Sequence, residues 1–305
     1  MRLLGWTATF VASAVFFVAS ATFLASLAAC GDGDTGAAFA MDSGTPDADA
    51  GAAPEKVYPV DIDVVITADN AYSIGWGDDN GLQSFNPDSS IATAGNQIYS
   101  CPIGVGPEAH VVPAKDAIAG GWIYVVSWCD LGGVQGLIAQ VNYRDGEPIY
   151  TGADAWEVCA TGVPYPTTGG AGPDKRTIER EIAKCNSPTS DVEWTSHGWV
   201  GVNGAITPGA RGKLALGQDN ESDVDLRVTD DVGRVMTGPG LMNFAPVCKQ
   251  PANGRKGMGN KARWIWYAPS GYSADPFVAS EELVRHTFLI FRLPRRAIPP
   301  PPSPG

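Results

Sequence analysis

The sequence is poor in basic residues, and this shortage excludes one large class of partner. Lysine and arginine together number 21 against 33 aspartate and glutamate residues, so the formal net charge is −12. Proteins that bind nucleic acid carry a stripe or patch of clustered Lys and Arg. The basic clusters here, such as Arg295-Arg296, are too small to form one. Nucleic acid is therefore not an expected partner.

Histidine is also scarce, and the common catalytic motifs are missing. The only three histidines, His110, His197 and His286, lie far apart in the chain, and none belongs to an HExxH motif or a nucleophile elbow. No CxxC pair or Cys/His spacing typical of zinc is present. Acidic residues are plentiful, but a glycosidase needs two that converge on one sugar, and a single sequence does not show which two do so. These absences favour a non-catalytic protein.

The amino end carries a long apolar run that stops at a cysteine. Residues 1–29 contain one charge, Arg2, followed by Leu, Ala, Val and Phe and then small residues, the layout of an export signal. The run is long enough to span a bilayer, but the sequence after Cys30 is Gly-Asp-Gly-Asp, with no basic stop-transfer cluster. Leu-Ala-Ala-Cys at 27–30 resembles the lipobox of bacterial lipoprotein precursors. The resemblance implies cleavage before Cys30, acylation of its sulfur and amine, and retention on a membrane. Gly31 next to the cysteine favours the outer membrane or cell surface.

Composition divides the rest of the chain into three segments. Residues 30–59 are rich in Ala, Gly, Asp and Pro and have too few apolar side chains to fold, which predicts a disordered tether. Residues 60–293 contain the strand-like patterns. Residues 294–305 are proline-rich, which predicts an extended tail.

Strand patterns dominate the central segment. Residues 60–64 alternate apolar and acidic side chains, which is typical of a strand with one wet face. Trp122–Trp128 is almost entirely aromatic or β-branched, which predicts a central, buried strand. We expect it to pair with residues 137–141. Residues 77–81 supply the turn after another strand.

The carboxyl half adds one helix and further strands. Residues 173–186 begin with Pro and Asp and place Ile178 and Ile182 on one face, so we expect a helix that packs on a sheet edge. Residues 263–267 and 287–293 are predicted to form a closing pair of strands. The expected fold class is an all-β, antiparallel, jelly-roll-like sandwich with one short helix.

Three stretches resemble one known family. They are ITADNAYSIGWG at 66–77, WIYVVSWCDLGGVQGLIAQV at 122–141 and TGADAWEVCATG at 151–162. In this order they resemble the galactose-binding-like jelly roll, which occurs as a sugar-binding or accessory domain beside bacterial glycosidases. The resemblance covers residues 60–162 and implies a sugar-binding fold there. Residues 163–293 are then either an elaboration of that core or a second β module.

Trp76 is the leading candidate for ligand binding. An exposed indole ring stacks on the C–H face of a sugar, while nearby polar groups bond the hydroxyls. The polar residues beside Trp76 in the sequence are Asp78, Asp79 and Asn80. The alternative interpretation places Trp76 in the core.

A run of carboxylates is a candidate calcium site. Oxygen ligands at alternate positions suit Ca²⁺, and they are Asp219, Glu221, Asp223 and Asp225. The run departs from the EF-hand pattern because Val224 stands where that pattern has glycine. A solvated loop or strand face is the alternative. No other cofactor is expected.

The five cysteines that follow Cys30 predict disulfides, as expected outside the cytoplasm. Their spacing does not determine the pairing. The pairs we predict are Cys159 with Cys185 and Cys101 with Cys129, which leaves Cys248 unpaired.

Two non-catalytic functions fit these features. One is a membrane-anchored extracytoplasmic lipoprotein that binds carbohydrate or another envelope ligand. The other is a structural or adhesion lipoprotein that binds protein partners. A glycoside hydrolase built on the same sandwich is the third hypothesis.

Overall fold

The computed structural model describes residues 55–69, 71–86, 98, 107–128, 134–164, 172–187, 195–196, 198–220, 235–237, 241–243, 247–248, 258–272, 275–278 and 287–303. The predicted signal peptide, the lipidation site Cys30 and most of the predicted tether lie outside this part of the chain. So do Cys101, Cys129, Glu221, Asp223 and Asp225.

Strands are the main regular structure of the described chain. They are β1 (Ile62–Asp69), β2 (Ala71–Asp78), β3 (Gly81–Asn86), β4 (Glu108–Val112), β5 (Trp122–Trp128), β6 (Gly136–Tyr143), β7 (Ile149–Tyr150), β8 (Glu157–Pro164), β9 (Val200–Gly201), β10 (Gly204–Ala205), β11 (Lys213–Asp219), β12 (Val235–Thr237), β13 (Leu241–Asn243), β14 (Arg263–Ala268) and β15 (Thr287–Pro294). One α-helix, α1 (Lys175–Asn186), lies between β8 and β9.

The strands build two antiparallel sheets that form a sandwich, which confirms the all-β fold class. The first sheet has the order β11-β14-β6-β1-β4, with β7 also paired to β6. The second has the order β10-β9-β8-β15-β5-β2-β3, and β12 and β13 form a separate pair. Each sheet contains strands from residues 60–162 and strands from residues 163–293. The later segment therefore completes both sheets.

The alternation at the start of the domain sets the orientation of β1. Ile62, Val64 and Ile66 are buried in the core between the sheets. Asp63, between them, accepts a hydrogen bond from the guanidinium of Arg144 at 3.1 Å on the outside. The period of two thus separates an apolar face from an acidic one.

The predicted central strand is confirmed as β5. It lies between β15 and β2, and all seven of its residues are buried. Ile123 and Val125 belong to the core between the sheets, whereas Tyr124 and Val126 belong to a second cluster on the outer face of the same sheet. A strand covered on both faces has no polar side, which explains its continuous apolar run.

Two predicted strand pairings are wrong. Residues 137–141 lie in β6, which pairs with β1 in the first sheet, while β5 lies in the second. The expected closing pair is likewise divided, because β14 is in the first sheet and β15 pairs with β5 and β8 in the second. Side-chain patterns identify strands, but they do not identify neighbours when the chain crosses between two sheets.

Helix α1 is confirmed, and it packs on the edge strand β3 as predicted. The Asp174 side chain accepts a hydrogen bond from the Thr177 N–H at 2.6 Å, which caps the helix. Glu179 accepts a hydrogen bond from the Leu82 N–H of β3 at 3.3 Å, and Ile178 and Ile182 are buried in the outer cluster, so the helix also covers the outer face of the second sheet. A disulfide from Cys159 in β8 to Cys185 holds it there.

The predicted tail begins inside the folded body. Pro294 ends β15, and Arg295 and Ile298 are each only 3% exposed. A short 3₁₀ helix, Arg295–Ala297, joins them.

Candidate functional site

The acidic turn predicted to bind ligand lies between β2 and β3, and its polar groups already have partners. The Asp78 carboxylate accepts a hydrogen bond from the Asn80 N–H at 2.7 Å. Asp79 accepts one from Arg292 Nη1 at 3.1 Å through its carboxylate and one from Asn186 Nδ2 at 2.7 Å through its carbonyl. The turn is therefore fastened to the body of the protein.

Arg292, in the middle of β15, is the centre of this network. Its guanidinium carbon lies 3.8 Å from the ring centroid of Trp122 and 3.8 Å from that of Trp199, so the cation is stacked between two indoles. Its Nε donates to Glu157 Oε2 at 2.6 Å. The side chain is 7% exposed. Stacking and ion pairing together compensate the desolvation of this charge.

The residues around Arg292 extend the network to the helix. Trp199 Nε1 donates to Asn186 Oδ1 at 2.6 Å, and Arg292 Nη1 donates to the same oxygen at 3.2 Å. The Tyr124 hydroxyl donates to the Asp78 carbonyl at 2.8 Å, and burial raises the pKa of Tyr124. We call this group, centred on Arg292 with Trp122, Trp199, Glu157, Asp79 and Asn186, the arginine network. Its centre is buried, whereas the Asp79 side chain at its rim is 61% exposed.

Trp76 is not part of the arginine network. Its side chain is half-buried and packs against the core between the sheets, whereas Trp122 and Trp199 belong to the outer cluster. The structure thus separates Trp76 from Asp79, although three positions divide them in the sequence.

A cavity opens beside Trp76 at one end of the sandwich. It lies between the two sheets and contacts the ends of β1, β2, β4, β5 and β15. Trp76, Asp116, Trp122 and Arg295 line it, and Ala117 and Ile118 form one wall. We call it the end cavity. Its volume, counted out to solvent, is about 250 Å³, and its enclosed part has room for about one water-sized group.

Two buried hydrogen-bond donors at the end cavity have no partner. Within the described part of the chain, Trp76 Nε1 and Arg295 Nε are inaccessible to solvent and make no hydrogen bond. Arg295 is otherwise held in place: Nη2 donates to Glu55 Oε1 at 2.9 Å and Nη1 to the Tyr143 hydroxyl at 3.4 Å. Leaving a buried donor unsatisfied costs about 1–3 kcal/mol. Both of these donors belong to residues that line the end cavity.

Glu55 forms an ion pair with Arg295 at 2.9 Å, although the sequence places Glu55 in the tether. Its second oxygen accepts a hydrogen bond from the Gly120 N–H at 2.7 Å. The folded body therefore begins no later than Glu55. The Arg295–Glu55 pair spans 240 positions and has no signature in the sequence.

A separate polar group lies at the edge strand β4. The Tyr72 hydroxyl donates to Glu108 Oε2 at 2.8 Å and lies 2.8 Å from His110 Nε2. Because this hydroxyl hydrogen is directed at Glu108, the contact with His110 fits an Nε2–H that donates to the hydroxyl oxygen. Burial lowers the pKa of His110, so the ring is neutral at pH 7.

The calcium prediction falls mostly outside the described residues. Asp219 is exposed at the end of β11, opposite Arg263 in the strand register. Among the described residues, no group of three or more His, Cys, Asp or Glu side chains is placed to hold a metal ion. Calcium binding by the run that starts at Asp219 stays a prediction.

One disulfide prediction is confirmed and one cysteine assignment is wrong. Cys159 and Cys185 form a disulfide, as predicted. Cys248, expected to be left over, is also disulfide-bonded, with a partner outside the described residues.

Comparisons with known proteins do not assign the chain to a family. No family model, curated protein or solved structure matches the chain. The resemblance to galactose-binding-like domains therefore stays a prediction. In the part of the chain that the structure describes, no helix has the length and apolar character needed to cross a membrane.

The arginine network predicts that Arg292→Lys, although conservative, strongly lowers the free energy of unfolding. Arg292→Lys keeps the charge but loses the planar stack and the fork of donors. We expect the free energy of unfolding to fall by about 2–4 kcal/mol, because Glu157 loses its partner in a buried site. The matched control is Arg176→Lys in α1, where the arginine is exposed and the change should stay within about 0.5 kcal/mol. Urea unfolding followed by circular dichroism measures both, and equal losses would refute the special role of Arg292.

His110 predicts a pH dependence of stability. Its pKa in the folded protein lies below the ordinary value of 6.5, so the unfolded chain takes up the proton first as pH falls. The stabilisation that depends on neutral His110 is complete above about pH 6.5 and is lost as pH falls below it. In His110→Gln, whose amide still donates to Tyr72, stability should fall less between about pH 7.5 and 5.5 than in the wild type. Urea midpoints across that range test this, and parallel curves would contradict it.

Proposed function

We propose that this protein is an exported, lipid-anchored binding protein without catalytic activity, and that it binds carbohydrate or another ligand of the cell envelope at the end cavity. The observation that carries the binding site is that two residues lining one cavity, Trp76 and Arg295, each hold a buried N–H without a partner in the described chain. Buried polar groups in proteins are almost always hydrogen-bonded, so exceptions point to a missing partner.

The site supports binding more than catalysis. Asp116 is the only carboxylate among the described residues that line the cavity. General acid–base hydrolysis of a glycoside needs two carboxylates on opposite sides of the bond. A donor pair with one acceptor suits recognition of a polar group and leaves the bond intact.

The anchor in this proposal is Cys30. Its support is the apolar leader, the Leu-Ala-Ala-Cys sequence and the absence of a basic flank after it. The Glu55–Arg295 ion pair then fastens the end of the tether to the folded body.

The anchor predicts a specific covalent product. Mass spectrometry of the protein purified from membranes should find residue 30 as the first residue, carrying fatty acyl groups. The variant Cys30→Ser should lack the acyl groups and leave the membrane fraction, because serine offers no thiol for the thioether. An intact leader, or an unmodified thiol at Cys30, would contradict the anchor.

Binding predicts a dependence on Trp76 and not on the acidic turn. Purified full-length protein should be retained by at least one immobilised glycan, and Trp76→Ala should lose most of that retention. Asp79→Asn, which alters the sequence-predicted turn but not the end cavity, is the control and should bind normally. Circular dichroism confirms that both variants fold. Failure of every glycan would favour the adhesion hypothesis, in which the partners are proteins.

A further inference from the structure

One wall of the end cavity is a short segment with little packing of its own. Residues 113–121 join β4 to β5, and we call them the wall segment. Ala117 and Ile118 in this segment line the cavity. Residues 113–120 all keep some exposure to solvent, and they contain a single 3₁₀ turn, Ala114–Asp116. Segments with few buried apolar contacts open at a low cost in free energy. The wall segment therefore depends on contacts from other parts of the chain to stay in place.

Contacts of this kind come from the chain that leads into β1. We call residues 55–61 the entry segment. The Asp61 carboxylate accepts a hydrogen bond from the Ala114 N–H at 2.8 Å. The Glu55 carboxylate accepts one from the Gly120 N–H at 2.7 Å. Two carboxylates of one segment thus hold the two ends of the other, through hydrogen bonds to charged acceptors, which are stronger than neutral ones.

The entry segment is itself fastened to the folded body. Both of its gripping carboxylates also pair with an arginine, Glu55 with Arg295 at 2.9 Å and Asp61 with Arg144 at 2.8 Å. Between them in the sequence, the side chain of Tyr58 packs against the core between the sheets. The entry segment therefore has a fixed position from which to hold the wall segment.

We propose that the entry segment is a strap that holds the wall segment as one unit over the end cavity, and that release of either carboxylate opens the cavity. Gly120 supplies a hinge, because its φ of +70° favours glycine and open space surrounds it. The strap goes beyond the proposed function, since it concerns access to the cavity and holds for any ligand.

The strap also links the cavity to the predicted tether. Glu55 is the first residue of the folded body after the stretch that leads from Cys30. A pull on the tether would therefore act first on the Glu55 end of the strap. This step rests on the proposed anchor, whereas the strap itself does not.

Hydrogen–deuterium exchange of single amides in the full-length protein tests whether the two ends act together. Asp61→Ala removes the acceptor of the Ala114 N–H, and we expect exchange at Gly120 to accelerate as well, although its own acceptor is intact. Glu55→Ala should conversely accelerate exchange at Ala114. Each acceleration should be about ten- to a hundredfold, the worth of one hydrogen bond to a charged group.

Two further variants control this measurement. Glu147→Ala removes an exposed carboxylate from the connection between β6 and β7, and it should leave exchange at both amides unchanged. Glu55→Gln keeps one acceptor oxygen beside Arg295 and loses only the charge. It should accelerate exchange at Ala114 less than Glu55→Ala does, and it replaces Glu55→Ala if circular dichroism shows that the latter does not fold.

The opening of the cavity has a readout of its own. Ile123 lines the cavity and is 2% exposed. A neutral nitroxide in solution broadens the signals of methyl groups that it reaches. We expect it to broaden the Ile123 methyl signals in Glu55→Ala and Asp61→Ala more than in the wild type. The Ile290 methyls, buried in the outer cluster, are the internal reference and should stay sharp in every variant.

Two results would overturn the strap. In the first, exchange accelerates only at the amide whose own acceptor was removed, so the two hydrogen bonds act independently. In the second, both amides respond but the Ile123 signals stay as sharp as in the wild type, so the cavity does not open. Neither measurement uses a glycan, and the proposed binding function therefore stands or fails separately.

Discussion

The stacked guanidinium of Arg292 is the interaction on which the second sheet and its helix depend. A buried cation is expensive, and it is tolerated here because two indole faces and the Glu157 carboxylate replace its hydration. The same side chain reaches the β2–β3 turn through Asp79 and the end of α1 through Asn186. Arg292 thereby contacts both neighbouring strands, β8 and β5, as well as the β2–β3 turn, α1 and Trp199. The cavity beside Trp76 lies apart from the centre of this network, at the end of the sandwich.

The tryptophans differ in whether the indole N–H has a hydrogen-bond acceptor. Trp199 and Trp156 are buried and their indole N–H groups have acceptors, so they serve packing. Trp76 is buried only in part, yet its N–H has no acceptor within the described chain and lies beside a cavity. The ring packs against the core, as the alternative interpretation of the sequence had it, while its polar edge lacks a partner. The position of Trp76 therefore fits the core interpretation for its ring and leaves its N–H available for the ligand-binding interpretation.

Local features of the fold follow from the sequence because they depend on neighbouring residues. The alternation in β1, the unbroken apolar run of β5 and the Asp174 cap of α1 each involve residues within one element. Pairing of distant segments does not follow in this way. Nothing in the pattern of β6 states that its partner is β1, and nothing in Asp79 indicates an arginine 213 positions away. The end cavity was equally hidden, since Trp76, Asp116 and Arg295 come from three separate segments. Only Trp76 gave a signal in the sequence, as an aromatic residue beside polar ones.

The most direct test of the binding site follows the indole N–H signals of Trp76 and Trp199 while a glycan is titrated into the protein. In two-dimensional ¹H–¹⁵N spectra, with resonances assigned by single Trp→Phe variants, a bound glycan should shift the Trp76 indole signal. The Trp199 signal, whose N–H is held by Asn186, should stay in place. A shift at Trp199 with no change at Trp76 would place the ligand at the arginine network and contradict the account.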